Sequence, residues 1–185
     1  MFSTLFNLVL NPSPTINQIM QERKLKLAML GYCMGAFSIV LAHGLTTEIS
    51  LAGFILRFLL ILFFNVCISF FFSATAHLFL ELTTGRGRAA GLFVLLGLSE
   101  FAKTLLVAFS LISLNLPSLY AFKGLFALIV LLLQLFFVLY MMKHAYGLNK
   151  TMTFFALIIS FVPAIICFFA TIFLLISAII WLIFA

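Results

Sequence analysis

Residues 77–104 read HLFLELTTGRGRAAGLFVLLGLSEFAKT. One apolar run ends in a turn of glycine and arginine, and the apolar run that follows contains Glu100 and Lys103. Both runs are too long and too apolar for the surface of a soluble protein. The stretch therefore predicts a hairpin of two membrane spans, with its turn at the membrane surface and both charged residues inside the second span.

The composition of the whole chain agrees with a membrane protein. Of its 185 residues, 66% are hydrophobic and only 8% are charged, and the mean hydropathy is +1.36. Such values exclude an ordinary soluble domain, and the length fits one bundle of a few spans. The net charge of +6 comes from basic residues scattered at span ends, which argues against nucleic acid as a partner.

Apolar segments of span length predict an all-α bundle of five transmembrane helices. They lie at about residues 27–45, 54–80, 89–114, 119–141 and 152–185. Residues 1–26 are expected to form amphipathic helices in the interface, since Ile16, Ile19 and Met20 share one helical face. The last segment is too long for one straight crossing. It is either kinked at Pro163, broken there, or laid flat at its end near Trp181.

Basic residues predict the orientation of these spans. With five crossings, one side of the membrane collects Arg23, Lys24, Lys26, Arg86, Arg88, Lys143 and Lys150, and the other has Arg57 and Lys123. The positive-inside rule then puts the N-terminus and the glycine-arginine turn in the cytoplasm, and the C-terminus outside.

A stripe of polar residues follows one face of the second span. Its members are spaced four apart and are Asn65, Ser69, Ser73, His77 and Glu81. Residues four apart lie one above another on a helix, and in lipid a polar stripe must face protein or water. Because the hairpin makes the second and third spans antiparallel neighbours, Asn65 and Ser69 are expected to face Glu100 and Lys103.

Glu100 lies eleven residues into the third span, which is ~16 Å deep in a hydrocarbon core of ~30 Å. A charge at that depth is costly unless it is paired or hydrated, so Glu100 and Lys103 are expected to pair inside the bundle. Gln134 is the strongly polar residue in the middle of the fourth span and is expected to join them. Together with Asn65, Ser69 and Ser73, these residues form a predicted intramembrane polar network.

Two further features carry alternative interpretations. Gly31 and Gly35 form a small-xxx-small pair, which favours close helix packing inside the chain and otherwise dimerisation. His77 and Glu81 have a spacing that two metal ligands use, but without a third ligand we expect a hydrogen-bonded helix end and no metal or other cofactor.

The turn itself contains two guanidinium groups, those of Arg86 and Arg88, which suit lipid phosphate or an anionic headgroup. The simpler interpretation is a basic anchor at the headgroups. With His77 and Glu81 beside it, the turn is a predicted lipid or partner contact on the cytoplasmic side. We find no nucleophile elbow or catalytic triad in the sequence and expect no catalysis.

Three stretches give the chain a resemblance to a known family. They are Asn11-Pro12 with Thr15 and Ile16, the run from His77-Leu78 through Thr84-Gly85-Arg86-Gly87-Arg88, and Leu96-Gly97-Leu98-Ser99. The chain resembles the Yip family of Ypt/Rab-interacting proteins, in the manner of a bacterial-type member. Glu100 and Lys103 stand where that family commonly has a proline.

The resemblance implies five spans, a cytoplasmic N-terminal segment and a bacterial inner-membrane location. It also implies a non-catalytic role in membrane organisation or in trafficking-type contacts with a partner, a second copy or lipid. The alternative hypothesis is a small transporter or lipid scramblase whose polar path runs around Glu100 and Lys103. A third interpretation is an ion pair that only fixes the register of two spans.

Overall fold

The computed structural model describes residues 6–7, 10–22, 24–84 and 89–184, and the structural statements below refer to these. Within them the protein is helical apart from short loops, without a β-strand. Five of the described helical segments are long and apolar enough to cross a membrane. The predicted all-α bundle of five spans is therefore confirmed.

The elements differ from the predicted spans mainly at their ends. In order they are α1 (Pro12–Glu22), α2 (Leu25–Gly44), α3 (Leu51–Thr84), α4 (Ala89–Ser99), a first 3-10 segment (Glu100–Lys103), α5 (Thr104–Asn115), a second 3-10 segment (Pro117–Phe122), α6 (Lys123–Tyr146) and α7 (Lys150–Phe184). The third span consists of α4, the first 3-10 segment and α5. The other four spans correspond to α2, α3, α6 and α7.

The final apolar run forms one continuous helix. Pro163 lies inside α7, and the helix continues on both sides of it for 35 residues in total. At 1.5 Å per residue this makes α7 ~50 Å long, well beyond a ~30 Å hydrocarbon core. Of the three arrangements expected for this run, the one with two separate half-spans is excluded.

Helix α1 packs across one end of the bundle, against α4 and α6. Ile16 and Ile19 are fully buried, and Met20 packs directly on Gly91 of α4. The Ser13 hydroxyl lies 2.9 Å from the imidazole Nδ1 of His144 in α6. The predicted apolar face is thus present and packs on α4 and α6, and the position of α1 in the membrane interface stays a prediction. We call this side of the molecule the α1 end.

Helix α2 lies in the centre and contacts α3, α4 and α5. It crosses α4 so closely that a Cβ atom built on Gly31 overlaps the carbonyl oxygen of Gly97. The next residue of α2 is Tyr32, whose hydroxyl donates a 2.9 Å hydrogen bond to the carbonyl oxygen of Phe93, one turn before Gly97 in α4. Because α2 and α4 are in close contact at this crossing, α2 fixes the position of the third span and therefore that of Glu100.

Candidate intramembrane site

The third span changes from an α-helix to a 3-10 helix at Glu100–Lys103. In a 3-10 helix residue i+3 eclipses residue i, so the two side chains lie one directly over the other. The Lys103 Nζ accordingly lies 2.6 Å from the Glu100 Oε2. Glu100 is only 4% exposed. The predicted buried ion pair is confirmed, but the 3-10 segment that forms it was not expected.

Two amides from neighbouring spans complete the shell around the Glu100 carboxylate. Asn65 in α3 donates from Nδ2 to Oε2 at 3.0 Å. Gln134 in α6 donates from Nε2 to Oε1 at 2.7 Å and lies 3.5 Å from the Ser99 hydroxyl. We call Glu100, Lys103, Asn65 and Gln134 the Glu100 cluster. It joins three spans, as expected for a buried charge that needs full hydrogen bonding.

Helix α2 leaves room for this cluster through Gly35. A Cβ atom at Gly35 would lie 2.6 Å from the Glu100 Oε2 and 2.9 Å from the Glu100 Cβ. Since Gly31 meets the backbone of Gly97 in the same way, both glycines pack against the third span inside the chain. Neither is left for contact with a second copy, so the internal-packing interpretation of this pair holds and dimerisation through it does not.

The rest of the polar stripe of α3 does not form one continuous row. The buried Ser73 donates to the backbone carbonyl of Ser69 at 2.7 Å. Further along, His77 has a buried Nδ1 that finds no hydrogen-bond partner in the described part of the chain. Glu81 is exposed near the end of the helix. The Ser73 hydroxyl therefore bonds within α3, and Ser73 is not part of the Glu100 cluster.

The glycine-arginine turn lies outside the described residues, so the lipid or partner contact of Arg86 and Arg88 stays a prediction. Among the residues that are described, no group of three or more histidine, cysteine or acidic side chains could hold a metal ion.

A cleft of about 590 Å³ opens beside the Glu100 cluster, between α3, the third span, α6 and α7. Its floor is polar and consists of Asn65, Ser69, Glu100, Lys103 and Gln134. Its walls are apolar and include Phe72, Leu96, Leu131, Leu135, Leu157 and Phe161. A volume of this size is typical of pockets that hold a small ligand, which occupy about 300–1,000 Å³.

The cleft opens sideways, toward the surface that faces lipid. Among the described residues, no Cα atom of α3 lies within 8 Å of a Cα atom of α6, so the two helices are apart where the cleft lies. On the rim, Leu131 of α6 is 59% exposed and Phe161 of α7 is 47% exposed. The apolar walls thus continue into the outer apolar surface of the bundle. We call this feature the lateral cleft.

Sequence reasoning identified the floor of the lateral cleft and missed its walls. Polar residues in an apolar span carry a clear signal, whereas Leu131, Leu135 and Phe161 are ordinary apolar residues in apolar helices. No pattern in α6 or α7 marks the face that lines a cavity.

Comparison of the chain with protein-family models, with curated proteins and with solved structures finds no match. The fold and the site define a class: a helical integral membrane protein, with five helices in its described part that can span a bilayer and a hydrogen-bonded ion pair inside the bundle.

Proposed function

We propose that this protein is a non-catalytic membrane protein whose lateral cleft binds a lipid that enters sideways from the bilayer. The observation that carries the proposal is the cleft itself, with apolar walls and a polar floor. A molecule with an apolar body and a polar head matches both surfaces, and the bilayer supplies such molecules at high concentration.

The accessibility of the Glu100 cluster from the lateral cleft supports a role in binding rather than in packing alone. An ion pair that served packing alone could be closed off on all sides, yet Lys103 lines the cleft and its side chain is 16% exposed. Polar groups that remain accessible inside a membrane are costly and generally mark a functional site.

The resemblance to the Yip family agrees with this role. It implies a protein that organises membranes or takes part in trafficking-type contacts, through lipid or a partner and without chemistry. Binding a lipid between spans is one physical means by which such a protein senses or alters its membrane.

Photocrosslinking tests the proposal, because α6 offers two adjacent positions of which one lines the lateral cleft and the other does not. Leu135 lines the lateral cleft, and its neighbour Phe136 is 64% exposed on the outer surface. With photoreactive benzoylphenylalanine at position 135, we expect illumination in native membranes to yield one or a few lipid adducts. With the same residue at position 136, we expect adducts in proportion to the bulk lipids. Mass spectrometry identifies the lipids in the adducts at both positions.

Equal adduct patterns at the two positions would contradict the proposal, since the cleft would then select nothing. The alternative, a small transporter or lipid scramblase, is supported by the polar floor near the middle of the third span. It requires that the reconstituted protein also moves labelled lipid or ions across liposomes, at a rate that Glu100→Gln lowers. Selective adducts without such movement favour binding.

We further propose that the α1 end faces the cytoplasm of a bacterial inner membrane. Lys24, Lys26, Lys143 and Lys150 lie at helix ends on this side, and Arg57 and Lys123 lie toward the other. The C-terminus then lies outside.

Cysteine labelling tests this orientation in a chain whose three native cysteines are replaced by alanine. Asn17 is exposed on α1, and Glu48 is exposed in the loop between α2 and α3. A membrane-impermeant maleimide added to intact cells is expected to label Glu48→Cys and not Asn17→Cys. The reverse pattern would invert the orientation.

A further inference from the structure

Among the groups that line the lateral cleft, the Lys103 ammonium has the most hydrogen-bond donors available for a ligand. A lysine side chain has three N–H donors, and one of them bonds to the Glu100 Oε2. The other two have no hydrogen-bond partner within the described part of the chain. Because a charged donor forms stronger hydrogen bonds than a neutral one, an oxygen acceptor placed in the cleft gains most from this group.

The amides on the floor add a second, weaker preference. Asn65 and Gln134 both use their NH₂ groups on the Glu100 carboxylate. Their carbonyl oxygens accept no hydrogen bond from the described residues, and both side chains line the cleft. They can accept a hydrogen bond from a ligand hydroxyl. The floor as a whole suits carbonyl and hydroxyl oxygens.

The charge on the floor argues against an ionic head. Glu100 and Lys103 cancel each other at 2.6 Å, so the site has no net positive charge to offset a phosphate. A phosphate brought to this depth would lose its hydration without gaining a counter-ion. An uncharged head with oxygen acceptors loses far less water and still reaches the Lys103 donors.

Resting on the proposed function, we infer that the lateral cleft binds an uncharged lipid. The carbonyl or hydroxyl oxygens of its head contact the Lys103 ammonium, and its chain lies along Phe72, Leu157 and Phe161. Diacylglycerol is one lipid with this chemistry. A phospholipid of the same chain length but with an anionic head is the competitor that the site rejects.

Tryptophan quenching by brominated lipids tests the inference. Trp181 is first replaced by phenylalanine, so that one added tryptophan is the reporter. Phe72→Trp provides the cleft reporter, at a residue that is 5% exposed, and Phe70→Trp provides the outer reporter, a control on the same helix at a residue that is 59% exposed. The probes have identical dibrominated chains and differ only in the head. They are a diacylglycerol, a phosphatidic acid and a dibrominated alkane without any head.

In liposomes, we expect the brominated diacylglycerol to quench the cleft reporter saturably, at a membrane concentration about tenfold or more below that needed by the other two probes. A hydrogen bond to a charged group has about this effect on affinity. All three probes are expected to quench the outer reporter alike. In the charge-neutral double variant Glu100→Gln/Lys103→Met, diacylglycerol should lose its advantage, whereas Lys143→Met at the α1 end should leave it unchanged.

The remaining outcomes separate the two proposals. Equal saturable quenching of the cleft reporter by all three probes would overturn head recognition and leave the lipid-binding function standing. Stronger quenching by the phosphatidic acid, or an unchanged preference in the double variant, would likewise overturn the inference. If no probe quenches the cleft reporter saturably, lipid does not occupy the cleft and the proposed function fails as well.

Discussion

Replacing Lys103 with methionine is expected to destabilise the protein by about 3–5 kcal/mol, because the change leaves the Glu100 carboxylate buried without an opposite charge. Asn65 and Gln134 would still donate to the carboxylate. Neutral amides do not replace an ammonium at 2.6 Å in a medium of low dielectric constant. Equilibrium unfolding of the purified protein in mixed micelles with increasing SDS measures the change.

The informative comparison is with the double variant Glu100→Gln/Lys103→Met. Since this change removes both charges, it is expected to lie within about 1 kcal/mol of the wild type, as buried ion pairs replaced as a unit often do. Lys143→Met, which removes a lysine at the α1 end, should change the free energy of unfolding by no more than about 0.5 kcal/mol. If the single and double variants unfold alike, the Glu100 cluster does not hold a charge pair.

The Glu100 cluster could be predicted from the sequence because its members are exceptions to the rule that membrane spans consist of apolar residues. Each is strongly polar within an apolar span, and the short hairpin forces α3 and the third span to be antiparallel neighbours. Sequence alone therefore placed Asn65 opposite Glu100, and the hydrogen bond between the two side chains confirms it. Gln134 followed from the same reasoning applied to α6.

The predicted polar network included one residue of the α3 stripe too many, Ser73. Successive residues of an α-helix are ~100° apart, so each step of four rotates the side chain by ~40°. From Asn65 to Ser73 the drift is ~80°, and to His77 it is ~120°. The far members therefore cannot share the face of Asn65. The Ser73 hydroxyl accordingly bonds to its own helix, and the Nδ1 of His77 has no partner in the described residues.

The 3-10 segment at Glu100–Lys103 has no local signal in the sequence. Glutamate, alanine and lysine all favour the α-helix, and no glycine or proline interrupts the stretch. A contact from another helix meets the segment at its first residue. Gly35 of α2 packs against the Glu100 side chain, and tighter winding brings Lys103 over the carboxylate. The contact between Gly35 and Glu100 joins residues that are far apart in the chain, and local propensity does not report it.

Replacing Gly31 with alanine is expected to destabilise the protein by about 1–3 kcal/mol, in the range of overpacked cores. The new Cβ overlaps the carbonyl oxygen of Gly97. That oxygen is part of the backbone and cannot rotate away as a side chain would, so α2 must separate from α4. Because Gly35 lies one turn further along α2 against Glu100, the separation also loosens the Glu100 cluster. SDS unfolding measures the loss of stability.

Gly124 provides the matched control for this change. It lies in the first turn of α6, and a Cβ atom there meets nothing within 4 Å. Gly124→Ala is therefore expected to be neutral or to stabilise by up to about 1 kcal/mol, since alanine favours the helix over glycine. Equal stability of the Gly31→Ala and Gly124→Ala variants would mean that α2 and α4 are not in backbone contact. A loss confined to Gly31→Ala assigns the effect to that crossing, because both variants add the same methyl group to a helix.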